Sequence, residues 1–281
     1  MTVMLKHIGL VSESEAVPTA ALMGVAAALQ KQATRDLAPI WDIAATVDAF
    51  DSLDAMPVDY WPIIIRDNIG YDAAGIHLDD NNQPFALVSA SDRRDVWSLT
   101  ASHEMCEMLV DPFGNRLIAG GGIKSGQGRV NYLVEVCDPS EDARFAYTVN
   151  GVLVSDFYTP HFFDPGVSGG VRYSFTGAIT APRMIREGGY LTWVDPATGI
   201  WWQQTWFDGT GPTFRSLGKM SAKKSLRAQV DRKTAQFTAA AIGSAGVAAV
   251  RAASPANAVD SAARNRAKTL RDLIAGLPGV G

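Results

Sequence analysis

The chain has 281 residues, 47% of them hydrophobic and 19% charged, a length and composition that suit a folded protein with a sizeable core and exclude a mainly disordered one. Only two cysteines, Cys106 and Cys137, are present, so a disulfide framework is excluded and both are expected as buried thiols. The net charge of −4 is unevenly spread: residues 216–281 hold 11 Lys+Arg against 3 Asp, and residues 1–215 hold 14 basic against 26 acidic groups.

Residues 19–37 read as an amphipathic helix, because Leu22, Val25, Leu29, Ala33 and Leu37 recur at helical spacing and Pro39 follows. Strands are expected at 45–50, at 61–66 (apolar on both faces, hence central), at 75–78, and at 84–90, where Pro84 suggests an edge. Ser91-Asp92 then caps a helix that runs to about Val110 and stops at Asp111-Pro112. This helix has two apolar stripes, Trp97–Ala101–Met105–Met108 and Leu99–Cys106–Leu109. Between them Thr100, His103, Glu107 and Asp111 recur every four residues. A helix apolar on two sides is buried, so its polar stripe must face an internal cleft.

Residues 120–128 form a glycine-rich loop, and 130–136 alternate like a strand. Asn150-Gly151 joins two short apolar runs into a hairpin, and a second hairpin is expected over 190–204. Trp193, Trp201, Trp202, Trp206 and Phe207 crowd this second hairpin; alternate members are expected to fill the core of a small β-unit. From about Lys219 the chain is alanine-rich, basic and helical in propensity.

The chemistry concentrates at His103-Glu104-Met105-Cys106-Glu107. Residues four apart share a helix face, so His103 and Glu107 can address one ion, with Glu104 beside them as a base for a water molecule. Two carboxylates in a buried cleft are costly without a cation, which favours a metal. Glu135 is the candidate third ligand, with Asp138 second and His161 a further candidate. His77 is read as structural, His7 as solvent-exposed, and Asp156 as a turn residue or an acceptor behind His103. Zinc accepts such a set, and its oxygen-rich character also suits manganese or calcium.

The segments 36–41, 75–78, 102–112, 135–139 and 154–157 together resemble a group of zincin-like, metallopeptidase-like proteins of phages and bacteria. The similarity spans roughly residues 17–165. Glutamate stands where zincins usually carry a second histidine, and Val110 and Phe113 stand where metzincins carry glycine and a third histidine. The resemblance implies a zincin-like N-terminal half, a twisted mixed sheet plus active-site helix; with the β-hairpins and the alanine-rich tail read from the residues, the expected fold is α+β. The expected units are 1–170, 171–215 and 216–281.

The expected function is a metal-dependent, zinc-using peptidase-type hydrolase acting on polypeptide. Its rival is a phage-derived virion structural or adaptor protein with a silent site, docking to assembly neighbours. Lys223, Lys224, Arg227, Arg232 and Lys233 read as a solvated helix face rather than a nucleic-acid surface, given the acidic body. No secretory signal and no membrane span are expected, and the expected location is cytoplasmic or virion-associated.

Overall fold

The computed structural model describes residues 4–71, 73–90, 96–207, 209–221 and 225–238. The first layer is a five-stranded sheet of β1 (Leu5–Ser12), β2 (Ala44–Phe50), β3 (Tyr60–Arg66), β4 (Gly75–Asp80) and β5 (Gln83–Ser89), ordered β2-β1-β3-β5-β4. The first four neighbours in that order pair in parallel, and β4 closes the edge antiparallel to β5. β3 is central, as its apolar Ile63-Ile64-Ile65 requires. β1 lies outside the expected elements, and its Ile8, Leu10 and Val11 are completely buried. It carries His7, which is half-buried rather than exposed, with Nδ1 2.8 Å from the Thr46 hydroxyl. The expected edge strand, β5, is internal. Its ladder with β3 begins only at Ala86, so the donor missing at Pro84 falls beyond the end of that ladder.

One face of this sheet is covered by helices. α1 (Thr19–Lys31) packs Leu22, Val25 and Leu29 onto it, and the chain then widens into a π-helical turn over Gln32–Leu37 before α2 (Ala38–Trp41). Pro39 thus sits inside the helical run, in the first turn of α2 directly after the π-helical turn. α3 (Trp97–Val110) crosses the same face, sending Ala101, Met105 and Met108 into the core. The expected cap at Ser91-Asp92 lies outside the described residues.

The second layer is an antiparallel sheet of β6 (Leu117–Gly121), β7 (Arg129–Leu133), β10 (Tyr190–Asp195), β11 (Ile200–Thr205) and β12 (Thr213–Gly218), ordered β12-β11-β10-β7-β6. Between β7 and β10 in sequence comes the hairpin β8 (Tyr147–Val149) and β9 (Val152–Val154), turned through Asn150 and Gly151 at φ 52° and 81°. Trp193 is fully buried and Trp201 nearly so, which places alternate members of the aromatic cluster in the core. A single apolar core runs from Ile8 and Ile63 through α3 to Tyr132 and Trp193, joining the two layers. α4 (Leu226–Thr238) follows β12. The described residues are therefore α+β, with one mixed and one antiparallel five-stranded sheet, the two-stranded β8-β9 hairpin and few helices. Among the described residues no helix is long and apolar enough to cross a membrane.

Candidate metal centre

α3 is buried along nearly its whole length, and its polar stripe points at the segment that follows β7. The backbone N–H of Cys137 donates to Glu107 Oε1 at 3.2 Å, docking that segment onto the helix. His103 Nε2 lies 3.3 Å from Glu107 Oε1 and 3.3 Å from Asp138 Oδ1. Both separations are long for a charge-assisted hydrogen bond. They match the distance of about 3.3 Å between neighbouring ligand atoms in a tetrahedron with zinc–ligand bonds of about 2.0–2.1 Å. Glu141 completes a group with His103 and Asp138 whose ligand atoms all fall within 4.8 Å of one another.

A second group of the same kind lies deeper, made by His77, Glu107 and Glu135. His77, on β4, is fully buried, and its Nε2 is 3.2 Å from the Asp111 carbonyl oxygen. A carbonyl only accepts, so Nε2 carries the proton, and in the neutral ring Nδ1 presents its lone pair to the cluster. That Nδ1 is 3.5 Å from Glu104 Oε2 and 3.7 Å from Glu107 Oε2. Glu107 thus has one oxygen toward each group.

Arg227 of α4 enters this cluster. Its Nη2 is 3.3 Å from Glu107 Oε2, its Nη1 is 3.3 Å from Glu135 Oε2 and 3.2 Å from Asp138 Oδ2, and its Nε is 3.0 Å from Asp231 Oδ1. The side chain expected on a solvated face is buried, because it is the permanent cation opposite these carboxylates. Lys223 and Lys224 lie outside the described residues. Arg232 and Lys233 are exposed as expected.

Six carboxylates, those of Glu104, Glu107, Glu135, Asp138, Glu141 and Asp231, face Arg227 and two histidines. Burial alone would depress the His103 imidazole, yet the Glu107 charge and the Asp138 carboxylate outweigh it and hold its pKa well above the ordinary value. Burial opposes ionisation of Glu107, but His103 and Arg227 overcome it and keep that carboxyl below the usual range. Burial pushes Glu135 well up, Arg227 only partly opposing it, while Glu107 and Asp138 push further. Burial and neighbouring negative charge raise Asp138 and Glu141 as well. Among the described residues, His77 Nδ1, Glu104 Oε2, Asp138 Oδ1, Glu141 Oε1 and both Glu135 oxygens have no hydrogen-bond partner. Atoms of this kind are costly to bury unless a cation satisfies them, so the residues present fit a divalent ion.

A cavity of about 60 Å³ adjoins the centre, lined by Gly75, Thr100, His103, Glu104, Glu141 and Arg227 among others. Of the residues selected from sequence, His103, Glu104, Glu107, Glu135 and Asp138 converge here. Glu135 stands on the Arg227 side, whereas Asp138 reaches His103. His161 is exposed on the turn Pro160–Phe163, where Nδ1 pairs with Asp164 Oδ2 at 2.9 Å, and it joins neither ligand group. Asp156 is a bracing acceptor for Thr176 N–H at 2.9 Å and the Ser140 hydroxyl at 3.0 Å. Sequence reasoning missed Glu141, His77 and Arg227. The one local signal for the last is the Arg227–Asp231 pair at i,i+4, on the same stripe as buried Val230 and Thr234. No family model matches the chain, and neither a curated protein nor a solved structure matches it significantly.

Proposed function

We propose that the protein is a metal-dependent hydrolase of the zincin type, cleaving peptide bonds with a divalent ion, zinc first, held by His103, Glu107 and Asp138, with Glu141 in reach. The observation that carries this reading is the pair of 3.3 Å separations from His103 Nε2 to Glu107 Oε1 and Asp138 Oδ1, beside a water-sized cavity lined by Glu104. When bound, the ion supplies a charge that polarises a carbonyl and lowers the pKa of water. Glu104 takes a proton from water in the cavity and delivers it to the leaving amine, the work of a general base and then a general acid. The Cys137 N–H holds Glu107 in orientation from the side.

Purified protein should contain zinc, and His103→Ala should lose it by elemental analysis. Glu104→Gln should keep the metal and lose peptide cleavage, by about 10²-fold or more. Equal metal in the parent and His103→Ala would sink the centre, and undiminished cleavage by Glu104→Gln would sink the mechanism.

The cavity favours a second reading. Its volume of about 60 Å³ holds a few waters, each needing roughly 10–15 Å³. Arg227, Asp231 and Thr234 of α4 form part of its wall, so α4 crowds the approach of a peptide to Glu104. A virion structural or adaptor protein that keeps this centre for stability needs no such approach. Metal uptake without cleavage of any member of a degenerate peptide library would select that role.

A further inference from the structure

The geometry points to a second divalent-cation position formed by His77, Glu107 and Glu135, with the Arg227 guanidinium standing in for an ion there. Three features of the chain converge on this. The ligand atoms of the three residues lie within 4.8 Å of one another, and all three residues are buried. The Asp111 carbonyl fixes a His77 proton on Nε2, so Nδ1 is the ring atom turned to two carboxylates, and it has no hydrogen-bond partner among the described residues. Separations of 3.5 and 3.7 Å to those carboxylates are too long for hydrogen bonds, as expected where a cation rather than a proton is to lie between the groups.

Arg227 meets the oxygens that such an ion would use. Nη2 faces Glu107 Oε2 and Nη1 faces Glu135 Oε2, each at 3.3 Å, and the two nitrogens belong to one rigid planar fork. The seat is shaped for this residue. Gly114, at φ 55°, leaves no room for a side chain, because an added Cβ would collide with the Cβ of Arg227. Asp231, one turn along α4, forms an ion pair with Nε at 3.0 Å, so the guanidinium meets a negative charge from its own helix as well. Since Glu107 turns its other oxygen to His103, the two positions share one carboxylate, the arrangement by which paired metal ions are bridged. Arg227 thereby turns a two-ion ligand set into a one-ion centre and ties its charge balance to the seating of α4.

The test is the zinc content of the full-length chain after equilibration with zinc ion, by elemental analysis. The parent should hold about one ion, Arg227→Met about two, and Arg227→Lys, which keeps the charge, about one. Adding His77→Ala to Arg227→Met should return the count to about one. A count for Arg227→Met equal to the parent's, or a gain that survives His77→Ala, overturns the proposal. The parent count rests on the reading of the first centre, but the gain does not: if that centre fails, the parent holds none and Arg227→Met still gains one. Should Arg227→Met fail to fold in chelator, refolding with excess zinc ion should recover the far-UV circular dichroism of the parent. Failure to recover at any zinc concentration overturns the proposal too.

Discussion

At Gly75 the edge strand β4 approaches α3 so closely that a Cβ would lie 2.5 Å from Thr100 Cγ2 and 2.7 Å from Glu104 Oε1. Glu104 cannot simply yield, since its side chain is buried in the same cluster. Gly75→Ala should therefore cost about 1–3 kcal/mol of stability through overpacking and turn Glu104 away from the cavity. The expected outcome is a lower unfolding midpoint and reduced peptide cleavage, with metal content unchanged. Retained stability and cleavage would show that Glu104 has slack to move. At this scale the sequence was informative where chemistry is local. His103 and Glu107 share a face because they are four apart, and Glu104 falls beside them for the same reason. His77 was read as structural from an alternating strand, since nothing in period 2 reveals which buried face meets a carboxylate cluster.

At the scale of elements, the π-helical turn after α1 explains how α3 is held in register. Gln32, the first residue of that turn, is fully buried; its Oε1 accepts from the Ser102 hydroxyl at 2.8 Å and its Nε2 donates to the Ser155 carbonyl at 3.0 Å. Ser102 Oγ in turn accepts from the Ser155 N–H at 2.8 Å. This small network bolts α1, α3 and the segment after β9 together one residue from His103, and π turns are frequent at functional sites. Ser102→Ala leaves the Ser155 N–H and the Gln32 oxygen without that hydroxyl, and should destabilise by about 1–3 kcal/mol. Urea unfolding should show a lower midpoint with an unchanged slope; an unchanged midpoint would mean that water replaces the hydroxyl. The sequence predicted one continuous helix here, since the apolar spacing from Leu22 to Leu37 fits period 3.6 and cannot report a single widened turn.

For the whole molecule, the centre lies where both layers and α4 meet, so stability and site are linked. Asp156 illustrates it. Burial pushes its carboxyl up to about 6, although the Thr176 N–H and the Ser174 and Ser140 hydroxyls oppose the shift. In the unfolded chain the group ionises near the ordinary value of about 3.9. Between these values the native state binds more protons than the unfolded state, so this group's contribution to stability falls as pH rises from about 4 to about 6 and is level above that. Relative to Asp156→Asn, which cannot ionise, the parent should lose roughly 3 kcal/mol across that window. Parallel stability–pH curves for the two chains would rule this out.

The sequence alone determined the local pieces: a buried helix displaying His103, Glu104 and Glu107, the Asn150-Gly151 hairpin, the strands at 45–50 and 61–66, and an aromatic hairpin whose tryptophans fill a core. Each is written in a period, an apolar run or a turn dipeptide spanning a few residues. β1 had no such mark, because Lys6, His7 and Gly9 interrupt its apolar residues. The tertiary structure alone decided which carboxylates join His103, that His77 faces Glu104 and Glu107, and that Arg227 reaches Asp138 across 89 residues of chain. Those encounters depend on how whole elements pack. Charge composition showed a basic tail and an acidic body, but only packing could bring one arginine of that tail into the acidic centre.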